Sequence, residues 1–274
     1  MVDYTFFSIF WNISISLISL INISKLKSIL LNKTSYSKNT CCCIIYTSVC
    51  FFRAVLPRVD AERLCFWDLG IMQIIHSPFI GRFCATFAEI AFSYQITKLW
   101  YTIVTNYSNK YFYTAQICWG LCCVAQILCW IGVITTNHIF HAFETFLWGL
   151  SSLLLTVNTS IVLSKISNSN SNSNSNKNNK SILKIFTLLC LLFSIYIFTI
   201  DVPMYIEKWN INGKGINSLP LNKGFYDSFT CKVNKSFELW SKEIVWMTPY
   251  FLAGPYISLK IEEYYDSKIS IKNK

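Results

Sequence analysis

Seven apolar runs, most of them long enough to cross a bilayer, dominate this chain, and several hold charged residues. They fall at 4–23, 41–56, 82–104, 111–134, 138–163, 181–200 and 243–261. About 20 consecutive apolar residues span a hydrocarbon core. Hydrophobic residues make up 53% of the chain and charged residues only 14%, against roughly 25% charged in an ordinary soluble domain. The pattern predicts an all-α fold, a polytopic transmembrane helical bundle of about seven spans. One further segment, 64–80, is apolar but broken by Asp68, Gly70, His76 and Pro78. It reads as interfacial or re-entrant, because charge and proline argue against a clean span.

The whole chain, 1–274, is expected to be a single integral membrane domain with no room for a second globular one. Run 4–23 is the weakest span, with its repeated Ser and Ile. It has no basic region before it and no small-residue cleavage site, so it reads as a retained helix rather than a signal peptide. If it does not span, six helices remain and both ends are cytosolic. Segment 164–180 holds an Asn/Ser tract that cannot bury apolar surface and is expected to be a disordered loop. Segment 201–242, punctuated by Pro203, Gly213, Gly215, Pro220 and Gly224, reads as a long polar, non-cytosolic loop.

Lysines set the orientation. They concentrate after the first, third and fifth runs and at the C-terminus, which puts the C-terminus in the cytosol and the N-terminus outside. The net charge of +10 comes from lysines dispersed between apolar runs. The lipid bilayer is therefore the expected partner, and nucleic acid is not, since no basic motif accompanies the charge. Asn234-Lys-Ser236 is a glycosylation sequon in the predicted outer loop; Asn179-Lys-Ser181 is one on the predicted cytosolic side.

Of the 12 cysteines, ten lie in apolar runs, where Cys behaves as a small hydrophobe. Cys65 and Cys231 alone fall in connecting segments, on the same predicted non-cytosolic side. A disulfide between them requires Cα atoms within about 7 Å.

The sharpest polar pattern is in run 82–104. Arg82, Thr86, Glu89 and Ser93 recur at helical spacing and share one stripe. A charge near the bilayer centre costs roughly 2.5–3.5 kcal/mol on insertion scales, so this stripe should face protein or water. It is either a proton- or ligand-handling carboxylate with its arginine, or a network that locks helix packing. Run 138–163 repeats the design with Glu144, Ser151 and Asn158 on one face. His138, His141 and Glu144 are each three apart and could share an ion. Satisfied histidines at a wet helix start are the stronger reading, and neither metal nor cofactor is expected. Arg53, Arg58 and Arg63, among Asp60, Glu62 and Asp68, suit a lipid phosphate, or local ion pairs at headgroup level. Asp201, with Glu243 and Asp68, places acids at element ends on one side, as a polar mouth or as solvated caps.

The stretches Arg53-Ala-Val-Leu-Pro-Arg-Val-Asp60, Arg63-Leu-Cys-Phe-Trp-Asp68, Gly81-Arg82, Ala85-Thr86 and Ala88-Glu89 resemble an uncharacterised family of multi-pass membrane proteins. Asp201-Val-Pro-Met204 and Glu243-Ile-Val-Trp-Met247 are similar to its C-terminal part. The resemblance implies an integral membrane protein and no particular activity. From the residues, the leading expectation is a transporter or a small-solute or lipid-binding protein with an acid-lined polar pocket. The alternatives are a membrane-embedded lipid-modifying enzyme, with Glu89 or Glu144 as base, a structural or assembly protein, and a seven-helix receptor. No nucleophile–base pair is visible, so the reading leans away from an enzyme.

Overall fold

The computed structural model describes residues 5–33, 35–105, 111–168 and 174–272, and these are overwhelmingly helical. In chain order the elements are α1 (Thr5–Leu31), α2 (Lys38–Val55), β1 (Arg58–Val59), β2 (Leu64–Cys65), a 3-10 helix (Gly70–His76), α3 (Pro78–Val104) and α4 (Tyr111–Thr135). Then follow α5 (His138–Asn168), α6 (Asn174–Tyr196), a π turn (Ile197–Asp201), α7 (Val202–Ile211), α8 (Leu221–Asp227), β3 (Lys232–Val233) and α9 (Phe237–Lys272). The chain divides into two compact units. One comprises 1–95, 133–136 and 220–274, the other 96–132 and 137–219.

In the first unit α1, α2 and α9 pack pairwise. The buried stripe of α1 is Ser8, Asn12, Ile15, Ser19, Asn22 and Leu26, whereas Phe6, Phe7, Phe10, Leu17 and Ile21 stand exposed. Small and polar residues inside with large apolar ones outside is the arrangement that suits helices packing in lipid. Ser8 and Ser19, two of the repeated serines that weaken this run as a hydrophobic span, thus lie on its packing face. Asn12 Nδ2 donates to the Ala54 carbonyl at 2.7 Å. Trp11 Nε1 donates to Thr248 Oγ1 at 3.0 Å. Helix α1 also runs past the apolar segment through Lys25 and Lys27 to Leu31, since lysine is a good helix former. Ser37 then starts α2 with a capping box to Thr40, satisfying backbone N–H groups that a helix start leaves unpaired.

Pro249 and Pro255 lie inside an unbroken α9. Proline at 255 deprives the Phe251 carbonyl of its helical donor, and Ser19 Oγ of α1 supplies another at 3.3 Å. Beside it, Gly254 lets α2 close in, because a Cβ there would sit 2.2 Å from the Tyr46 hydroxyl.

The connection after α2 is built from strands too short to be visible in a hydropathy pattern. Strand β1 pairs antiparallel with β2, Arg58 opposite Cys65, and β2 pairs parallel with β3, Cys65 opposite Val233. The Cys65–Cys231 disulfide, with Cα atoms 5.8 Å apart, fastens this sheet. The 3-10 helix that follows exposes Ile71, Met72, Ile74 and Ile75. Arg63, at a left-handed φ of 54°, donates from Nη2 to the carbonyls of Ile134 at 3.0 Å and Gly224 at 2.9 Å. A Cβ on Gly224 would fall 2.0 Å from the Ile134 carbonyl oxygen. Gly224→Ala must therefore push α8 off that backbone and is expected to lose about 1–3 kcal/mol, the usual range for overpacking. Thermal unfolding of the detergent-solubilised protein, read against wild type, checks this.

In the second unit α5 packs on α6, the π turn and α7. Ser152 Oγ donates to the Cys190 carbonyl at 2.8 Å, and Trp100 Nε1 donates to Thr159 Oγ1 at 2.7 Å. The π turn puts the Val202 N–H on the Ile197 carbonyl, one residue further back than in an α-helix. That reset carries the chain past Pro203 into α7, so 202–211 of the expected loop is helical. Helix α8 and strand β3 also lie within the 201–242 connection. Helix likewise enters segment 164–180, because α5 reaches Asn168 and α6 begins at Asn174. A nucleated helix extends into polar residues at low cost. The remaining positions, 169–173, lie outside the described residues.

Among the described residues, four helices are long and apolar enough to cross a membrane: Thr5–Leu31, Tyr111–Thr135, His138–Ile166 and Lys180–Ile211. Seven were expected. Helices α2, α3 and α9 carry Arg53, Arg82, Glu89, Lys98 and several acids within their length, which lowers their apolarity. The exterior is compatible with a membrane protein.

Candidate functional site

The polar stripe of α3 closes on itself. Glu89 is the twelfth of 27 residues in the helix and is buried with Arg82. Arg82 Nη2 donates to Glu89 Oε2 at 2.6 Å, so the two-turn separation is bridged directly by the long guanidinium arm. Thr86, between them, donates to the Arg82 carbonyl at 2.9 Å. Ser93 donates to the Ile90 carbonyl at 3.0 Å. The other carboxylate oxygen of Glu89 accepts from the Tyr250 hydroxyl of α9 at 2.9 Å.

Tyr250 also joins this pair to a second one. Its ring lies 5.9 Å from the Arg53 guanidinium, and Arg53 Nη2 donates to Asp60 Oδ2 at 3.2 Å. Two buried arginines and two buried carboxylates thus form a network from α2, α3, α9 and the β1–β2 turn, all within the first unit. Buried charges are tolerated when paired and hydrogen-bonded.

The arginines considered for lipid phosphate turn to internal acceptors. Arg53 takes Asp60. Arg58 is fully buried and donates from Nη1 to the carbonyls of Ile75 at 3.1 Å and Ser77 at 2.9 Å. Burial brings its pKa down to about 10, partly opposed by Asp60. Arg63 takes backbone carbonyls and lies 3.5 Å from Asp227. His76 sits beside them with Nδ1 3.0 Å from the Trp67 carbonyl and Nε2 2.9 Å from that of Pro57. Burial holds its pKa below the ordinary imidazole value, against the pull of those carbonyls.

The acids expected at element ends have separate roles, and Glu243 lies inside α9 rather than at its start, because the helix already begins at Phe237. Exposed Asp68 accepts the Gly70 N–H at 2.9 Å and starts the 3-10 helix. Glu243 accepts from Trp246 Nε1 at 2.6 Å. Asp201 is buried at the end of the π turn.

In the second unit the structure brings His141 and Glu144 together, with Nδ1 3.0 Å from Oε2. Ser151, two turns on, donates instead to the Cys118 carbonyl of α4 at 3.2 Å. Asn158 donates to the Leu154 carbonyl of its own helix. His138 stacks 6.3 Å from Tyr205 and 6.4 Å from the His141 ring. The residue that completes a potential ligand group with His141 and Glu144 is Cys129 of α4, which from sequence reads as one more apolar cysteine.

A second polar cluster was also invisible in the sequence. Glu262 of α9 accepts from Lys33, Asn39 and Thr40, and Lys33 also reaches Asp266 at 2.8 Å. Burial works against the Lys33 charge, but these two acids overcome it and raise the pKa. Comparisons with protein-family models, with curated proteins and with solved structures find no match to this chain.

Proposed function

We propose that the chain is a multi-pass integral membrane protein of about seven spans with a cytosolic C-terminus. It binds or transports a small solute, with Glu89 as the carboxylate that handles proton and ligand. The supporting observation is the Arg82–Glu89 pair near the middle of α3, completed by Tyr250. An intramembrane charge is costly, and by default it points to a functional site. Charge balance supplies the chemistry. With Glu89 ionised, Arg82 is neutralised within the protein. Protonation of Glu89 weakens its hold on Arg82 and makes the local charge more positive, which favours a small carboxylate or phosphate, and loss of the proton disfavours that anion. Binding should therefore strengthen as pH falls.

The test is a thermal-shift titration of nanodisc-embedded protein with acetate, inorganic phosphate and lysophosphatidate at acid and neutral pH. Wild type should be stabilised by one of these anions more at acid pH. Glu89→Gln keeps an acceptor for Arg82 and Tyr250, so it should fold, yet lose the pH dependence. One observation favours a purely structural role: both Glu89 oxygens already have partners. Under that reading Glu89→Gln lowers stability with no anion response in either protein.

A further inference from the structure

We propose that Cys129, His141 and Glu144 form a binding site for a zinc-type divalent metal ion. This inference stands apart from the role of Glu89. All three side chains are buried, and their ligand atoms lie within 4.8 Å of one another. Cys129 Sγ is 3.8 Å from His141 Nδ1, and Nδ1 is 3.0 Å from Glu144 Oε2. A tetrahedral zinc ion with ordinary bond lengths separates sulfur from nitrogen by about 3.6 Å and nitrogen from oxygen by about 3.3 Å. Both separations lie within a few tenths of an ångström of these values.

The local sequence holds the imidazole in place. His141 and Glu144 are one turn apart on α5 and share a face. The His141 ring stacks on Tyr205 at 5.3 Å. Its opposite edge lies against Gly132, one turn beyond Cys129 on α4, where a Cβ would be 2.7 Å from Nε2. The absence of a side chain at 132 thus lets the ring approach α4 with Nδ1 directed at the cysteine. Nε2 is buried without a hydrogen-bond partner, so the ring is oriented by packing rather than by a hydrogen bond on its far side.

The donor set selects the metal class. A thiolate disfavours magnesium and calcium, and a thiolate–imidazole–carboxylate trio suits zinc. Three protein ligands leave the fourth position for water or an exogenous ligand, the pattern of catalytic rather than closed structural zinc sites. Binding requires Cys129 to lose its proton, so affinity should rise with pH.

The experiment uses full-length protein purified in detergent, stripped with chelator and titrated with zinc and with cobalt. One equivalent of zinc per chain should bind and raise the melting temperature, and cobalt should develop a thiolate charge-transfer band. Cys129→Ser should abolish that band and weaken zinc binding at least ~10-fold, while Cys122→Ser on the same helix leaves both intact. If Cys129→Ser fails to fold, the wild-type cobalt spectrum decides: a band characteristic of a single thiolate upholds the site, and its absence overturns it. Sub-stoichiometric zinc uptake, or equal loss in both serine variants, also overturns it.

Discussion

Arg82→Met should cost the folded protein roughly 3–5 kcal/mol, the penalty for stranding one member of a buried ion pair. Glu89 would lose the guanidinium on Oε2, while the Tyr250 hydroxyl stays on Oε1. The carboxylate is largely buried, so water is a poor replacement for that donor. Glu89→Gln is milder, because the amide oxygen still accepts from either donor and only the charge attraction goes. The double variant Arg82→Met/Glu89→Met should recover much of the loss, since buried pairs replaced by apolar groups of similar volume are often neutral or better. Reversible unfolding in mixed micelles gives all three values. A cost below about 1 kcal/mol for Arg82→Met would mean that Arg82 does not hold Glu89, and the network would lose its central bond.

How much of this was legible in the sequence depends on the range of the signal. The helices were legible because apolar runs of bilayer length have few alternatives. The Arg82–Glu89 stripe was legible because both partners lie on one helix, where spacing alone sets proximity. Tyr250 was not, since it comes from α9, and a tyrosine among aromatics gives no hint of its hydrogen bond. Cys129 was hidden for the same reason: it lies on a different helix from His141 and Glu144, and buried cysteines are ordinary core residues. Glu262 lies just past the last apolar run, where an acid carries no signal of its partners, yet three donors from the α1–α2 region converge on it. The sequence also misled where helix runs on into polar residues, at Lys25, Asn168 and Val202. A polar composition argues against a helix starting, and far less against one continuing.

Reduction of the Cys65–Cys231 disulfide, or Cys231→Ser, is expected to destabilise the protein by about 2–5 kcal/mol. The bond closes 166 residues of chain, for which the chain-entropy model gives roughly 5 kcal/mol. Membrane-inserted helices restrict the denatured chain, so the lower half of that range is the expected result. The loss should fall on one place. Lys232 N donates to the Arg63 carbonyl and Asn234 N to the Cys65 carbonyl, and Trp240 Nε1 donates to the Asn234 carbonyl at 2.8 Å. Without the bond, β3 should peel from β2 and amide exchange should rise across 231–240 first. The disulfide also tests sidedness. Such bonds persist on the oxidising side of a membrane, the side to which the lysine distribution assigns 201–242. Asn234 lies three residues beyond Cys231, so a glycan there must report the same side. In a eukaryotic secretory membrane, glycosidase should shift wild type and not Asn234→Gln, and a membrane-impermeant alkylating reagent should label Cys231 only after reduction. Glycosylation at Asn179 with Asn234 bare would reverse the orientation, and labelling of Cys231 without reduction would show that the bond to Cys65 is not formed.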